Sequence, residues 1–203
     1  MGFQWTERQF VAGALCLDFA NTVIYPTDPV RRVDRLVGLA DLDRWIASAL
    51  RYGPLKDDIA RAIVAAPELG DEAGLSGARA CRDATDRLFR AAAVGSGGDQ
   101  AYLRQVIGAY QEAVAVASFR FGEEGLDLAP RPGSTRIDGL LVAISQSAMS
   151  LLLSPEVGRI KACPSCDWLF VDRSNSRRRR WCDMRSCGNR AKAKRHYDQR
   201  RGA

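Results

Sequence analysis

The sequence predicts a mainly α-helical protein in two parts: a helical N-terminal domain with minor β structure (residues 1–158) and a small, basic C-terminal module (residues 159–203). Two observations support this division. Between residues 10 and 153, apolar residues recur at helical spacing in segments separated by Gly, Pro and Asp. Beyond Gly158, large aliphatic residues become scarce, and Arg, Cys and aromatic residues replace them. This change predicts a domain boundary at the glycine, and we expect residues 1–158 to fold without the C-terminal module.

The first part opens with an apolar segment that has two interpretations. Residues 10–24, FVAGALCLDFANTVI, fit either a buried helix or a short strand, because periodicity does not separate the two in so short a run. The TDP at 27–29 predicts a turn. We expect Asp41 to cap the next helix, since the apolar residues that follow it share one helical face. Another helical pattern, LKDDIARAIVAA, comes after Pro54.

Two longer helices are predicted in the middle of the chain. Ser76 is expected to cap a helix over residues 76–94, whose apolar residues form one stripe. The GSGGD that follows breaks the pattern, and Asp99 is expected to cap a helix that extends to about Ser118.

The last elements of this part are a hairpin and a buried helix. Residues 118–130, SFRFGEEGLDLAP, alternate in places and predict a short strand or hairpin. Asp138 is expected to start an apolar helix that Pro155 closes. The helical domain therefore has five or six helices and one or two minor strands.

The net charge of +6 is unevenly distributed along the chain. Residues 159–203 contribute +10, whereas residues 1–158 contribute −4. Such asymmetry favours a polyanionic partner for the basic part, the alternative being a solvated tail that aids solubility.

Four of the six cysteines lie close together with the spacing C-x2-C-x15-C-x4-C: Cys163, Cys166, Cys182 and Cys187. Two close pairs separated by a loop are what a tetrahedral four-thiolate zinc site requires. Disulfides are the alternative. The N-terminus lacks the features of a signal peptide, so we expect a cytoplasmic protein, in which stable disulfides are rare. The spacing predicts one structural Zn²⁺ with no open coordination position for hydrolytic chemistry.

The residues between the two cysteine pairs predict the path of the chain. DWLFVD (167–172) has strand-forming residues, RSNS (173–176) has turn chemistry, and RRRRW (177–181) is expected to return as the second strand. The second cysteine pair then opens the final helix. Knuckle, hairpin and ligands at a helix start make a treble-clef-like zinc finger. Trp168, Phe170 and Trp181 are expected to pack around the metal, the alternative being that they stack on bases.

These residues resemble a known family. WCDMRSCGNRAK, with CDWLFVD upstream, closely resembles the CGNR zinc finger, and GALCLDFANTV near the start is similar to the opening of the ABATE domain that usually precedes it. The resemblance implies a bacterial stress-induced transcriptional regulator whose finger binds DNA. It also implies a helical domain that binds a small-molecule effector or mediates homodimerisation.

The charge pattern names the residues expected to contact nucleic acid. A rigid basic helix fits the major groove of duplex DNA, and an Arg-rich hairpin can bind phosphates. The candidates are Arg173, Arg177, Arg178, Arg179, Arg180, Arg190, Lys192, Lys194, Arg195, Arg200 and Arg201. Double-stranded DNA is the predicted partner; RNA, or an acidic protein docked on the finger, remains an alternative. No membrane span is predicted, because no run of about 18 apolar residues occurs.

Other polar and thiol side chains in apolar segments have simpler interpretations. Asp18 and Asn21 are weak candidates for a ligand pocket, with buried hydrogen bonding as the favoured alternative. Cys16 and Cys81 are expected to be core thiols. The sequence contains one histidine and none of the G-x-S-x-G, H-E-x-x-H or dinucleotide-binding motifs, so we do not expect an enzyme.

Overall fold

The computed structural model describes residues 2–122 and 125–201, and these form a helical body joined to a short, metal-site-bearing C-terminal segment. Glu123 and Glu124 of the predicted hairpin lie outside the described residues. The α-helices of the described ranges are, in chain order, α1 (Leu15–Ala20), α2 (Leu39–Tyr52), α3 (Asp57–Ala65), α4 (Glu72–Ala93), α5 (Gln100–Ala115), α6 (Arg136–Leu152) and α7 (Asn189–Arg201). Short 3-10 helices cover Glu7–Gln9 and Pro155–Arg159, and a π-helical turn covers Met184–Gly188. None of the described helices combines the length and the apolar character that a bilayer span requires.

The β structure consists of antiparallel two-stranded pairs. The strands are β1 (Val23–Ile24) with β2 (Val33–Asp34), β3 (Ala117–Gly122) with β4 (Gly125–Pro130), and β5 (Ile160–Ala162) with β6 (Leu169–Val171). In the last pair, Ile160 lies opposite Val171 and Ala162 lies opposite Leu169. The mainly α-helical fold class and the hairpin at 118–130 are confirmed.

The helical body is built around α6, which packs against α1, α3, α4 and α5. Ile137, Leu140 and Ile144 of α6 are almost fully buried in the main core. Gly139 lets α3 come close, because a Cβ there would lie only 2.7 Å from Cγ1 of Ile63. A helix that is apolar on most sides is expected at the centre of a bundle.

Several predicted helix starts are displaced. Asp41 is not the N-cap of α2; it lies in the first turn and accepts hydrogen bonds from the N–H groups of Val37 and Gly38. Asp138 likewise lies inside α6, where it forms a reciprocal capping box with Thr135.

The two central helices show one correct cap and one wrong one. The Ser76 prediction is wrong, because α4 begins earlier, with Asp71 accepting from Gly74 N at 2.9 Å. The Asp99 cap of α5 is confirmed by its hydrogen bond from Ala101 N at 2.8 Å, although α5 ends at Ala115 rather than near Ser118. Residues 10–24, for which two interpretations were open, contain the short helix α1 followed by β1.

The strands of the C-terminal segment lie in the core of the body. Ile160, Leu169 and Val171 belong to the same buried cluster as the residues of α1 and α6. The Val171 N–H donates to the carbonyl of Ala12 at 2.8 Å, so β6 is bonded to the start of the chain. The independence of residues 1–158 stays a prediction, and this shared core argues against it.

Candidate zinc centre and basic surface

The four predicted ligands converge on one point. Their sulfur atoms all lie within 4.8 Å of one another, and all four residues are buried. Cys163 and Cys166 lie in the turn between β5 and β6, Cys182 precedes the π-helical turn, and Cys187 lies within it. The described cysteines therefore bring together the two pairs that the sequence spacing predicts.

The sulfur geometry fits a zinc ion and not disulfides. The Cys166 and Cys182 sulfurs are 3.5 Å apart, and those of Cys182 and Cys187 are 3.6 Å apart. Four sulfurs at about 2.3 Å from a tetrahedral zinc ion would be about 3.8 Å from one another. A disulfide bond would need about 2.05 Å. All six cysteines of the chain are free, and the four ligands hold one structural zinc.

Hydrogen bonds shift the pKa values of the four thiols in opposite directions. The pKa of Cys163 is lowered to about 6, first by the thiols of Cys166 and Cys182 and then by the N–H of Cys182. The other thiols also lower the pKa of Cys187, and the guanidinium of Arg190 adds to this by donating to its sulfur at 2.9 Å. Metal binding requires thiolates, so these contacts favour the binding form at Cys163 and Cys187, whereas contacts among the thiols raise the pKa of Cys166 and Cys182.

A second cation comes from the body. The Arg35 guanidinium lies 3.6 Å from the ring centre of Phe3 and 5.7 Å from that of Trp168. Burial lowers the pKa of Arg35 to about 10, while the negative charge of the nearby Cys166 thiolate opposes this shift. Arg35 therefore stays charged at neutral pH and offsets part of the −2 charge of a four-thiolate zinc site.

The aromatic residues around the site have the predicted packing role. Trp168 and Phe170 form one buried cluster with the four cysteines, and Trp181 is partly buried against it. The Trp168 indole N–H donates to the carbonyl of Val23 at 3.2 Å, which joins this cluster to β1.

Asn21 and Asp18 make buried hydrogen bonds, which was the favoured alternative to ligand binding. The Asn21 amide nitrogen donates to Leu169 O, and the Leu169 N–H donates to Asn21 Oδ1, both at 2.9 Å. The Asp18 carboxylate accepts from Ala12 N at 3.0 Å. Both side chains are only 2% exposed. They belong to the GALCLDFANTV segment, against which β6 packs.

The cysteine knuckle is also clamped to α4. Asp167, which follows Cys166 with a positive φ of 65°, accepts from Arg90 Nη1 through its carboxylate at 2.9 Å. The Asp167 carbonyl accepts from Arg90 Nη2 at 3.0 Å, and Asp86 holds the same guanidinium at 2.7 Å. Sequence reasoning missed this clamp, because nothing local links Arg90 to an aspartate 77 positions later.

The predicted return strand over residues 177–181 is wrong. The loop after β6 is held by side chains instead: the buried Asp172 carboxylate accepts from the N–H groups of Ser174 and Arg179, each at 3.0 Å. The Lys161 ammonium donates to Asp172 and to the carbonyl of Arg177, both at 2.6 Å. Burial opposes ionisation of Asp172, but Lys161 and Ser174 outweigh it and lower the pKa of this carboxyl. With these groups satisfied, β6 pairs with β5 and not with the arginine run.

Besides Arg190, which donates to the Cys187 sulfur, two of the predicted nucleic-acid residues are engaged within the protein. Arg179 is half-buried over the Phe170 ring at 4.7 Å and donates to the carbonyls of Trp181, at 3.0 Å, and Cys182. Arg173 forms a two-pronged ion pair with Glu156 at 2.7 and 2.8 Å. Arg179 therefore acts as a structural residue of the metal site, and Arg173 joins the loop to the body.

The other predicted basic residues are exposed: Arg177, Arg178, Arg180, Arg190, Lys192, Lys194, Arg195, Arg200 and Arg201. The six of these in α7 extend away from the zinc site on a helix whose only half-buried residue, among those whose side chains are described, is Ala191. Asn189, at the helix start, donates to Arg185 O at 3.3 Å and so has a local role.

Three of the four acidic residues of the C-terminal segment make contacts within the protein. Asp167 is bound by Arg90, Asp172 by Lys161, and Asp183 accepts from Arg185 N at 3.1 Å to cap the π-helical turn. Of the four acids in this segment, Asp198 is left on the outer surface, beside the cations of α7. Internal contacts thus separate the charges and leave the outer face strongly basic.

A buried four-cysteine zinc site, carried by a short hairpin and a helix, defines the C-terminal segment as a zinc finger. Two family models match the chain: residues 159–200 match the CGNR zinc finger, and residues 13–155 match ABATE, described as "Putative stress-induced transcription regulator". The chain belongs to the ABATE family and carries a CGNR zinc finger. Among curated proteins, no sequence matches it significantly.

Proposed function

We propose that this protein is a transcriptional regulator that binds duplex DNA through the outer face of its zinc finger. The observation that carries the proposal is the separation of charge. Asp167 and Asp172 are held in ion pairs within the protein and Asp183 caps the π-helical turn, whereas the cations of α7 and the arginines 177, 178 and 180 are exposed. Phosphate neutralisation by such a surface supplies affinity that does not depend on sequence.

Helix α7 has the form of a groove-binding element. Its 13 residues extend about 20 Å at 1.5 Å per residue, and its diameter matches the major groove of B-DNA. Because α7 carries polar residues on all sides, packing it against a protein core would add little stability. The zinc site fixes the start of α7 through Cys187, two residues before the helix begins, so the rest of the helix is held outward for a partner.

Arginines that are bonded within the protein reduce the set of residues able to contact DNA phosphates. Arg179 is committed to Phe170 and to the carbonyls beside the metal site, so it supports the loop and does not reach phosphate. Arg178 and Arg180 flank it on the exposed side. The proposed phosphate contacts are therefore Arg177, Arg178, Arg180 and the cations of α7, of which Arg190 also donates to the Cys187 sulfur.

The test is a pair of titrations at one stated salt concentration, with duplex DNA and a structured RNA of equal length. We expect tighter binding to DNA, with log affinity falling linearly with log salt at about −0.9 per neutralised phosphate. Equal or tighter binding to RNA, or an affinity without salt dependence, would overturn the assignment. Effector binding and dimerisation by residues 1–158 stay predictions.

A further inference from the structure

A cleft of about 730 Å³ opens between the zinc finger and the body, and its finger wall shares cations with the outer face just described. Its finger wall carries four cations and an indole ring, and its body wall carries one cation and a phenol ring. The lining residues used here are Arg180, Trp181, Arg190, Lys194 and Arg195 of the finger, and Tyr25 and Arg31 of the body. The body wall belongs to residues 25–32, the loop between β1 and β2.

This loop is fixed to the zinc knuckle. The Tyr25 N–H donates to the carbonyl of the ligand Cys166 at 3.3 Å. The Thr27 N–H and hydroxyl both donate to the Asp167 carboxylate, directly after that ligand. The Asp28 carboxylate accepts from the N–H groups of Val30 and Arg31, which folds the tip of the loop. The loop therefore keeps its position relative to the finger helix.

Arg31 is placed to act from this loop. Its guanidinium carbon lies 3.7 Å from the centre of the Tyr25 ring, and the side chain remains exposed. Asp28 is 3.9 Å away, but both side chains are largely in solvent, so the pair neutralises little of the charge. The ring holds the guanidinium in place while its N–H groups stay available to an anion.

The charge in the cleft is strongly positive. Arg31, Arg180, Arg190, Lys194 and Arg195 face it from two sides, and Asp198 is the acid among its lining residues. A cleft with cations on both walls and aromatic rings beneath them is complementary to a phosphodiester chain, whose charges repeat along its length. Arg190 also donates to the Cys187 sulfur, and the four remaining cations are still more than a single small anion needs.

We propose that the body takes part in DNA binding, with Arg31 contacting a phosphate of the same duplex that α7 engages. This inference rests on the proposed function and adds a second surface to it. The interface then includes both the family's helical domain and its finger. The loop at 25–32 would determine how far along the backbone the contact extends.

The experiment measures DNA affinity of the full-length, zinc-loaded protein between 50 and 200 mM salt for the wild type, Arg31→Ala, Arg31→Lys and Arg32→Ala. Arg32 is the matched control, because it is an exposed cation of the same loop that faces a different cleft, beside Asp83 and Asp86. Zinc content and melting temperature are measured for every variant.

Arg31→Ala should make the salt slope shallower by about 0.9, so that its affinity deficit is about 3.5-fold larger at 50 mM than at 200 mM salt. Arg31→Lys should keep the wild-type slope, and Arg32→Ala should change it far less. Equal slopes for Arg31→Ala and Arg32→Ala would overturn the inference and leave the proposed function standing. Absence of salt-dependent DNA binding by the wild type would overturn both.

Discussion

Asn21 and Leu169 lie 148 residues apart in sequence and exchange two hydrogen bonds, each 2.9 Å long, in the buried interior. The amide of Asn21 thus takes the place of a neighbouring strand for the first residue of β6. An amide is suited to this role, since one side chain supplies both a donor and an acceptor. The contact joins the opening motif of the helical domain to the hairpin that carries the first two zinc ligands.

Replacing Asn21 by Ala should destabilise the protein by about 2–4 kcal/mol, because it leaves a buried N–H and a buried carbonyl unpaired. Urea unfolding of the zinc-loaded protein measures the change. Asn175→Ala, at an exposed position of the loop after β6, is the control and should change the free energy of unfolding by less than about 0.5 kcal/mol. Equal effects of the two substitutions would contradict the role of Asn21.

The neighbouring arginines 178 and 179 should separate function from stability. Arg179→Ala should lower the free energy of unfolding by about 1–3 kcal/mol, because two carbonyls beside the metal site lose their donor. Arg178→Ala should leave stability unchanged and make the salt slope of DNA binding shallower by about 0.9. Denaturant unfolding and DNA titration of both variants check this. The opposite pattern would show that Arg179 is the phosphate contact.

Removal of zinc should destabilise the whole chain and not the finger alone. Ile160, Leu169 and Val171 lie in the main core, and exposing them would cost on the order of 5 kcal/mol. We therefore expect chelation to lower the temperature of one cooperative transition, followed by circular dichroism. A Cys182→Ser variant should melt like the chelated protein and respond no further to chelator. Two transitions, the upper one at the zinc-loaded midpoint, would instead show an independent body.

Stability should depend on pH through Asp18. Burial raises the pKa of this carboxyl to about 7, although the N–H groups of Ala12 and Val11 oppose the shift. The folded state therefore keeps a proton that the unfolded state releases near its ordinary pKa, so this contribution is lost as pH rises toward 7. Asp172, whose pKa is lowered, is ionised in both states between pH 5 and 8 and adds no slope there.

The measurement compares the wild type with Asp18→Asn by urea unfolding from pH 5 to pH 8. Asparagine keeps the acceptor for Ala12 and cannot ionise. The stability difference between the two proteins should shift in favour of the variant by about 2–3 kcal/mol over this range. A difference that stays constant with pH would show that Asp18 does not titrate there.

The parts that sequence could predict are those with local signals. The spacing of the four cysteines requires a turn within each pair, and Asp99 caps α5 because it directly precedes it. Asp41 and Asp138 misled because an acid in the first turn also bonds a backbone N–H at the helix start. It accepts from the N-cap residue, whereas a capping side chain accepts from the second or third helical residue. The predicted strand over residues 177–181 is absent for another reason. The Lys161 side chain bonds the carbonyl of Arg177 and the Asp172 side chain bonds the N–H of Arg179, and no local sequence pattern indicates these contacts.

The 3-10 helix at Pro155–Arg159 connects α6 directly to β5. Zinc fingers on long tethers tumble independently of their neighbours and lose that freedom when they dock. Here the finger and the body should share one rotational correlation time, so little orientational entropy remains to be lost on binding. The same rigid connection means that the finger should not transfer well to another protein. Without residues 12–23, it would lack the surface against which β6 packs.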